Sequence, residues 1–242
     1  MDSSSQLDQA YTYIRERIEG GIIRPGQRLS RRKLAEEIGV SPAMVLKALA
    51  QLERDGVTET RPRSGTYVRE LSVAEYEDLC DLREMLEPYA AARAAERISK
   101  EDLKVLQESC ERHYQYSTMF PVPQNVTTAW LRHCQIDHEE CLFHGTILKA
   151  SGNKLLTQLT QTLRLLSHVS PQLVYSDGHG RENDITIVAS EHTGIVEAIA
   201  TGNSDLAYKR MLNHLRGARV ILQQHSETAK PSGRRSQLQK KR

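Results

Sequence analysis

The chain has 242 residues, enough for one large domain or two small ones, and a formal net charge of +2 that marks no nucleic-acid or membrane partner by bulk charge alone. Charge is unevenly spread: net +2 over residues 1–71, −5 over 72–225 and +5 over 226–242. Four cysteines without a CxxC pair, a polar start (MDSSSQLDQ) and no apolar run near the roughly 18 residues of a membrane span argue against a disulfide framework, a signal peptide and a membrane partner, and for a soluble intracellular protein.

Leu7, Ala10, Tyr11, Ile14 and Ile18 recur at helical spacing up to Gly20-Gly21. After a Pro25-Gly26 turn, Ser30 caps a short helix that Gly39 ends. Ser41 caps a second one with Pro42 at its first position and an apolar face of Met44, Val45, Ala48, Leu49 and Leu52. The segments VTETR and TYV, around a turn containing Gly65, predict two short strands. Helix, helix-turn-helix and hairpin in this order predict a winged helix-turn-helix. Residues 69–72 form a linker, and Ser72-x-x-Glu75 is a capping box opening a long helix through about Ile98, with Pro88 predicting a kink. Further helices are expected from Ser99 to about Met119, Val126 to Ala150, Lys154 to Val174, Asp184 to Thr201 and Ser204 to Ser226, with loops at Pro121/Pro123 and Asp177-Gly-His-Gly. The expected fold is mainly α: a winged helix-turn-helix over 7–69, an all-α helical bundle over 72–226 and a disordered basic tail over 227–242.

A recognition helix needs a tight turn behind it and polar groups on its outer face. Arg31, Arg32 and Lys33 open the first helix of the pair, where they can meet phosphates; Ser41, Ala43, Lys47 and Gln51 lie off the apolar stripe of the second; Arg61 and Arg63 flank the wing. Ordinary solvated charge on a small helical domain is the competing reading.

The stretch from Ile14 to Val68 resembles the N-terminal domain of the GntR family of bacterial regulators. The match runs over about residues 7–69 and includes L-A-E-x-x-G-V-S at 34–41, A-L-x-x-L-x-x-x-G at 48–56 and R-x-G-T-x-V at 63–68. The resemblance implies DNA binding, with Arg32 and the wing glycine Gly65 in matched positions. It also exposes a departure. The family carries one Arg just after the turn Ser and another four residues on, where this chain has Pro42 and Leu46. Without those guanidinium forks guanine readout weakens, leaving Lys47 as a nearby cation and Arg32, Arg61 and Arg63 as phosphate anchors.

In the second half, His133, Asp137, Glu140 and His144 share one helical stripe. Glu140 and His144 lie one turn apart, about 6 Å, whereas Asp137 is about 10.5 Å from His144 along the axis, too far for a shared ion. His192 and His214 stand on other helices; three imidazoles and a carboxylate suit zinc, with nickel or manganese as alternatives. With nine histidines in the chain, scattered surface or core histidines are the competing reading. Residues 72–226 also resemble the FCD-type domain of the FadR branch, through LREMLEPYAAARAA, FHGTILKASGN, EHTGIVEAI and GNSDLAYKRMLNHL. That resemblance implies a divalent-metal site at Glu140, His144, His192 and His214, with Glu where the metal-binding members have Asp. It further implies a role for Arg83 in clamping a carboxylate effector; a helix-surface ion pair with Glu84 or Glu87 is the alternative. Asn153 reads as a helix cap, Trp130 and Phe143 as core, Cys141 as a packed thiol, and the tail as nonspecific DNA affinity or a solubilising end.

The resulting expectation is a homodimeric regulator, not an enzyme, in the bacterial cytoplasm on the nucleoid. It binds a pseudo-palindromic double-stranded operator, and a small organic acid on the bundle's metal modulates that binding. The alternatives are a purely structural or signalling metal, a metalloenzyme, and a scaffold that has lost DNA recognition.

Overall fold

The computed structural model describes residues 3–118, 126–167 and 181–228. The expected loops at Pro121/Pro123 and Asp177-Gly-His-Gly, the end of the helix toward Val174, and the tail from 229 on lie outside the described residues, as do the side chains of Trp130 and His133. Nine helices and three strands follow in the order α1 (Ser3–Glu19), β1 (Arg28–Leu29), α2 (Arg31–Ile38), α3 (Pro42–Arg54), β2 (Thr58–Arg61), β3 (Gly65–Val68), α4 (Val73–Arg97), α5 (Lys100–Thr118), α6 (Val126–Ala150), α7 (Lys154–Ser167), α8 (Arg181–Ala200) and α9 (Ser204–Thr228) among the described residues.

The local signals explain most boundaries. Ser30 Oγ accepts from Lys33 N at the start of α2, and Ser41 Oγ from Met44 N at the start of α3. Gly39 ends α2 at φ 78°, a left-handed conformation that costs glycine nothing. The capping box on α4 is complete: Ser72 N donates to Glu75 Oε2 at 2.9 Å while Ser72 Oγ accepts from Glu75 N at 3.3 Å. Pro88 sits inside α4, and the helix runs through it to Arg97. Asn153 Oδ1 caps α7 by accepting from Leu156 N at 3.1 Å.

The wing has a strand more than expected. The sheet order is β1-β3-β2, antiparallel throughout, with Arg28 opposite Tyr67 and Thr58 opposite Val68. β1 is two residues long and leaves no alternation to read in the sequence, but it pins the strand before α2 to the wing.

Two apolar cores follow, and α4 belongs to both. Ile14, Ile18, Val45, Leu49, Leu52 and Val68 form the first, together with Leu71, Tyr76, Leu79 and Cys80 at the start of α4 and Leu163 and Leu165 of α7. Ala90, Ala91 and Ala94 of α4 pack with Leu106, Phe143, Ile147, Ile195, Ile199 and Met211 in the second. The break at 69–72 is therefore a break in secondary structure across which the first core continues. No described helix is long and apolar enough to cross a membrane.

Candidate metal centre and nucleic-acid interface

Helices α4, α5, α6, α8 and α9 bring their polar residues together inside the second core. Glu140 and His144, one turn apart on α6, meet His192 of α8 and His214 of α9, with one donor atom from each lying within 4.8 Å of all the others. His192 Nε2 is 3.3 Å from His214 Nε2, His144 Nε2 is 3.5 Å from Glu140 Oε2, and His192 Nε2 is 3.5 Å from Glu140 Oε1. Four donors at about 2.0–2.1 Å from one tetrahedral ion sit about 3.3 Å apart, so these three approaches are near that spacing, within a set whose donors all lie within 4.8 Å. All three imidazoles are buried. Glu140 Oε1 and His144 Nε2 are shut off from solvent with no hydrogen-bond partner, an expensive state unless a further group satisfies them. Asp137 is not in the cluster, as its spacing predicts.

The far nitrogens of two imidazoles are held. His144 Nδ1 lies 2.6 Å from Glu87 Oε2, and His214 Nδ1 lies 2.9 Å from Glu191 Oε2. Carboxylates in these positions fix the tautomer so that Nε2 presents a lone pair to the centre. Phe143 stacks on His192 with ring centroids 3.8 Å apart. The sequence gives no signal for Glu191 or His113, and points to Glu87 only as a partner for Arg83. Glu87 stands at i+4 from Arg83, and Glu191 directly precedes His192, but nothing local shows that either reaches a histidine.

Electrostatics follow the same layout. Burial pushes the Glu140 carboxyl up, but His192, His144 and His113 together hold it well below the usual carboxylate range. Burial holds His192 well below an ordinary histidine and lowers His113 as well. For His144 burial acts downward, and the Glu87 and Glu140 carboxylates together outweigh it, so its value is raised. Burial also opposes ionisation of Glu87, and Arg83 with His144 overcome it. Arg83 Nε donates to Glu87 Oε1 at 2.7 Å, so the ion pair anticipated as an alternative to an effector contact is present.

In the winged head, the N-cap Ser41 and Pro42, Ala43, Leu46 and Lys47 of α3 are exposed, with Leu46 47 % exposed despite being apolar. Arg31, Arg32 and Lys33 are exposed on the first turn of α2, where Arg32 Nε donates to Glu36 Oε1 at 3.0 Å. Arg61 pairs with Glu59 at 2.6 Å and lies over the Tyr67 ring at 4.4 Å. Exposed pairs of this kind are worth about 0–1 kcal/mol, so both guanidinium groups exchange cheaply for phosphate. Arg63 occupies the turn at φ 60°, and Gly65 has φ 125°, with an added Cβ falling 3.1 Å from Arg28 Nε.

Comparison with known proteins agrees with this architecture. The FCD domain matches residues 78–217, and the family described as bacterial regulatory proteins, gntR family, matches residues 6–68. The HTH-type transcriptional regulator LutR of Bacillus subtilis is 27% identical over 233 residues, covering 87% of this chain and 98% of its own. YdhC of the same organism, an uncharacterized HTH-type transcriptional regulator, is 24% identical over 206 residues, 85% of this chain and 86% of its own. Among solved structures, E. coli McbR/YncC shares the fold at a TM-score of 0.76 and 21% identity, over 91% of this chain and 98% of that one. A winged helix-turn-helix on an FCD-type bundle, matched in both parts, makes this chain a DNA-binding transcriptional regulator of the GntR family.

Proposed function

We propose that the chain is a homodimeric regulator whose operator affinity responds to a small carboxylate bound at a divalent ion in the helical domain. The head is taken as 7–69 and the sensor as 72–226. The observation that carries the reading is the convergence of Glu140, His144, His192 and His214, with a donor atom of each within 4.8 Å of the others and Glu140 Oε1 and His144 Nε2 buried and unpartnered. The donor set suits zinc, with nickel or manganese as alternatives. When bound, the ion would take a carboxylate only by expanding beyond these four donors to five or six ligands. Glu87 and Glu191 hold His144 and His214 in register, and Arg83, already on Glu87, stands at the same wall of the site as a second contact for that carboxylate. On the DNA side, Arg31, Arg32, Arg61 and Arg63 contact phosphate, while Ser41, Ala43 and Lys47 face base edges and Gly65 lets the wing approach.

Metal analysis of the purified protein tests this directly. Wild type retains one equivalent of ion, and the combined His144→Ala, His192→Ala, His214→Ala variant retains none; unchanged metal content in that variant refutes the site. The pairing of Arg83 with Glu87 favours one second reading, in which the metal is structural or is itself the signal. Operator binding with and without chelator, and with the metal-loaded protein screened against small organic acids, separates the two: a chelator effect without any acid effect selects the second.

A further inference from the structure

His113 of α5 is buried beside the metal cluster and carries no hydrogen bond at either ring nitrogen. Such an imidazole is costly unless it has a task, because each unpaired polar atom loses its hydration. Its Nδ1 lies 3.2 Å from Glu140 Oε1, the same oxygen that is unpartnered on the other side. The distance is within reach of a hydrogen bond, and realignment of the two side chains would complete it.

The placement is not incidental. Ser109 Oγ donates to the Glu139 carbonyl at 3.2 Å, and Arg112 grips the Glu139 carboxylate through Nε at 2.8 Å and NH2 at 3.1 Å. This clamp sets the register of α5 on α6. The next residue on each helix is then forced into opposition: His113 against Glu140. Glu140 is also the only one of the four cluster residues that is not well buried, at 26 % exposed, and it swings on a longer side chain than an aspartate. It has the most freedom to lose on binding an ion.

We infer that His113 is a positioning residue for the metal centre, donating from Nδ1 to Glu140 Oε1 so that Oε2 is presented to the ion. This rests on the metal site proposed above and adds to it a residue outside the four ligands. Outer partners of this kind typically change metal affinity about 10–100-fold when removed.

The test measures zinc affinity of the full chain by chelator competition. His113→Leu removes the donor while filling the space and is expected to bind zinc about 10–100-fold more weakly. His113→Asn places an amide N–H where Nδ1 stood and is expected to retain most of the wild-type affinity. His113→Gln places its amide near the Nε2 position instead and is expected to behave like the leucine variant. That contrast is one that a merely structural role does not produce. In a Glu140→Asp background, where the shorter side chain draws the carboxylate away from α5, His113→Leu is expected to have little further effect. Equal zinc affinity of His113→Leu and wild type overturns the inference, as does equal behaviour of the Asn and Gln variants, or a full-sized His113→Leu effect in the Glu140→Asp background. A wild-type protein that binds no zinc refutes the metal site itself, which is a different failure. Thermal unfolding of each metal-free variant checks folding; if the leucine variant does not fold, the Asn and Gln pair decides.

Discussion

Glu87→Gln isolates what the outer carboxylates do. Glu87 is 2 % exposed, with Oε1 on Arg83 Nε at 2.7 Å and Oε2 on His144 Nδ1 at 2.6 Å. Both contacts are short and charge-assisted. Glutamine keeps the volume but offers one acceptor and one donor, so its amide N–H must face either the guanidinium or the imidazole N–H. One bond is lost and Arg83 is left with a neutral partner in a buried setting. The loss of orientation at His144 is expected to weaken zinc binding about 10–100-fold, which is about 1.4–2.8 kcal/mol. The metal-free protein also loses stability, within the roughly 3–5 kcal/mol that breaking a buried pair costs. Chelator competition measures the first quantity and denaturant unfolding with EDTA the second. Glu84→Gln serves as control, since Glu84 lies on the same helix but pairs with Arg216 and Arg219 away from the centre. Zinc affinity of Glu87→Gln within twofold of wild type, or an equal loss in Glu84→Gln, refutes the role assigned to Glu87.

Three further outcomes are expected. The raised value of His144 gives two opposite pH trends: the stability that its pair with Glu87 adds to the metal-free protein is complete below the ordinary histidine range and is lost as pH rises through the raised value. Zinc needs His144 Nε2 deprotonated, so affinity climbs as pH rises through the raised value, with proton release read by calorimetry in buffers of different ionisation enthalpy; pH-independent binding contradicts it. Lys47→Ala is expected to alter sequence preference on selected duplex DNA with the salt slope unchanged; a uniform loss across sequences with a slope lowered by about 1 moves Lys47 from a base edge to phosphate. Leu165→Ala, 2 % exposed on α7, is expected to cost about 2–5 kcal/mol and to destabilise the winged head, followed by hydrogen exchange of α1 and α3; loss confined to the bundle counts against the shared core.

Much of the fold is legible because its signals are local. Ser30, Ser41 and Ser72 announce helix starts through bonds made within three residues, and Gly39 announces an end. Glu140 and His144 declare their common face by spacing alone. What pairs across the chain is not written locally. The two residues of β1 acquire strand geometry only from β3, some forty residues on. Choosing His192 and His214 among nine histidines rested on resemblance, because burial cannot be read from a single helical face. Glu87 meets His144 across 57 positions and looks in sequence like any helix-surface acid. Arg83 pairs with Glu87, one of the two partners, Glu84 and Glu87, that the sequence left open as the alternative to an effector contact.

α4 has its own mechanical meaning. Its first turns are embedded in one core and its last turns in the other, and Glu87, gripping His144, lies about 21 Å along the axis from Val73. Tilted by about 5° around Glu87, α4 carries its first turn by about 2 Å, simple leverage over that length. Tyr76, Leu79 and Cys80 on these first turns sit in the same core as Val45 and Leu49 of α3, so a shift of this end of α4 reaches the packing beneath the recognition helix.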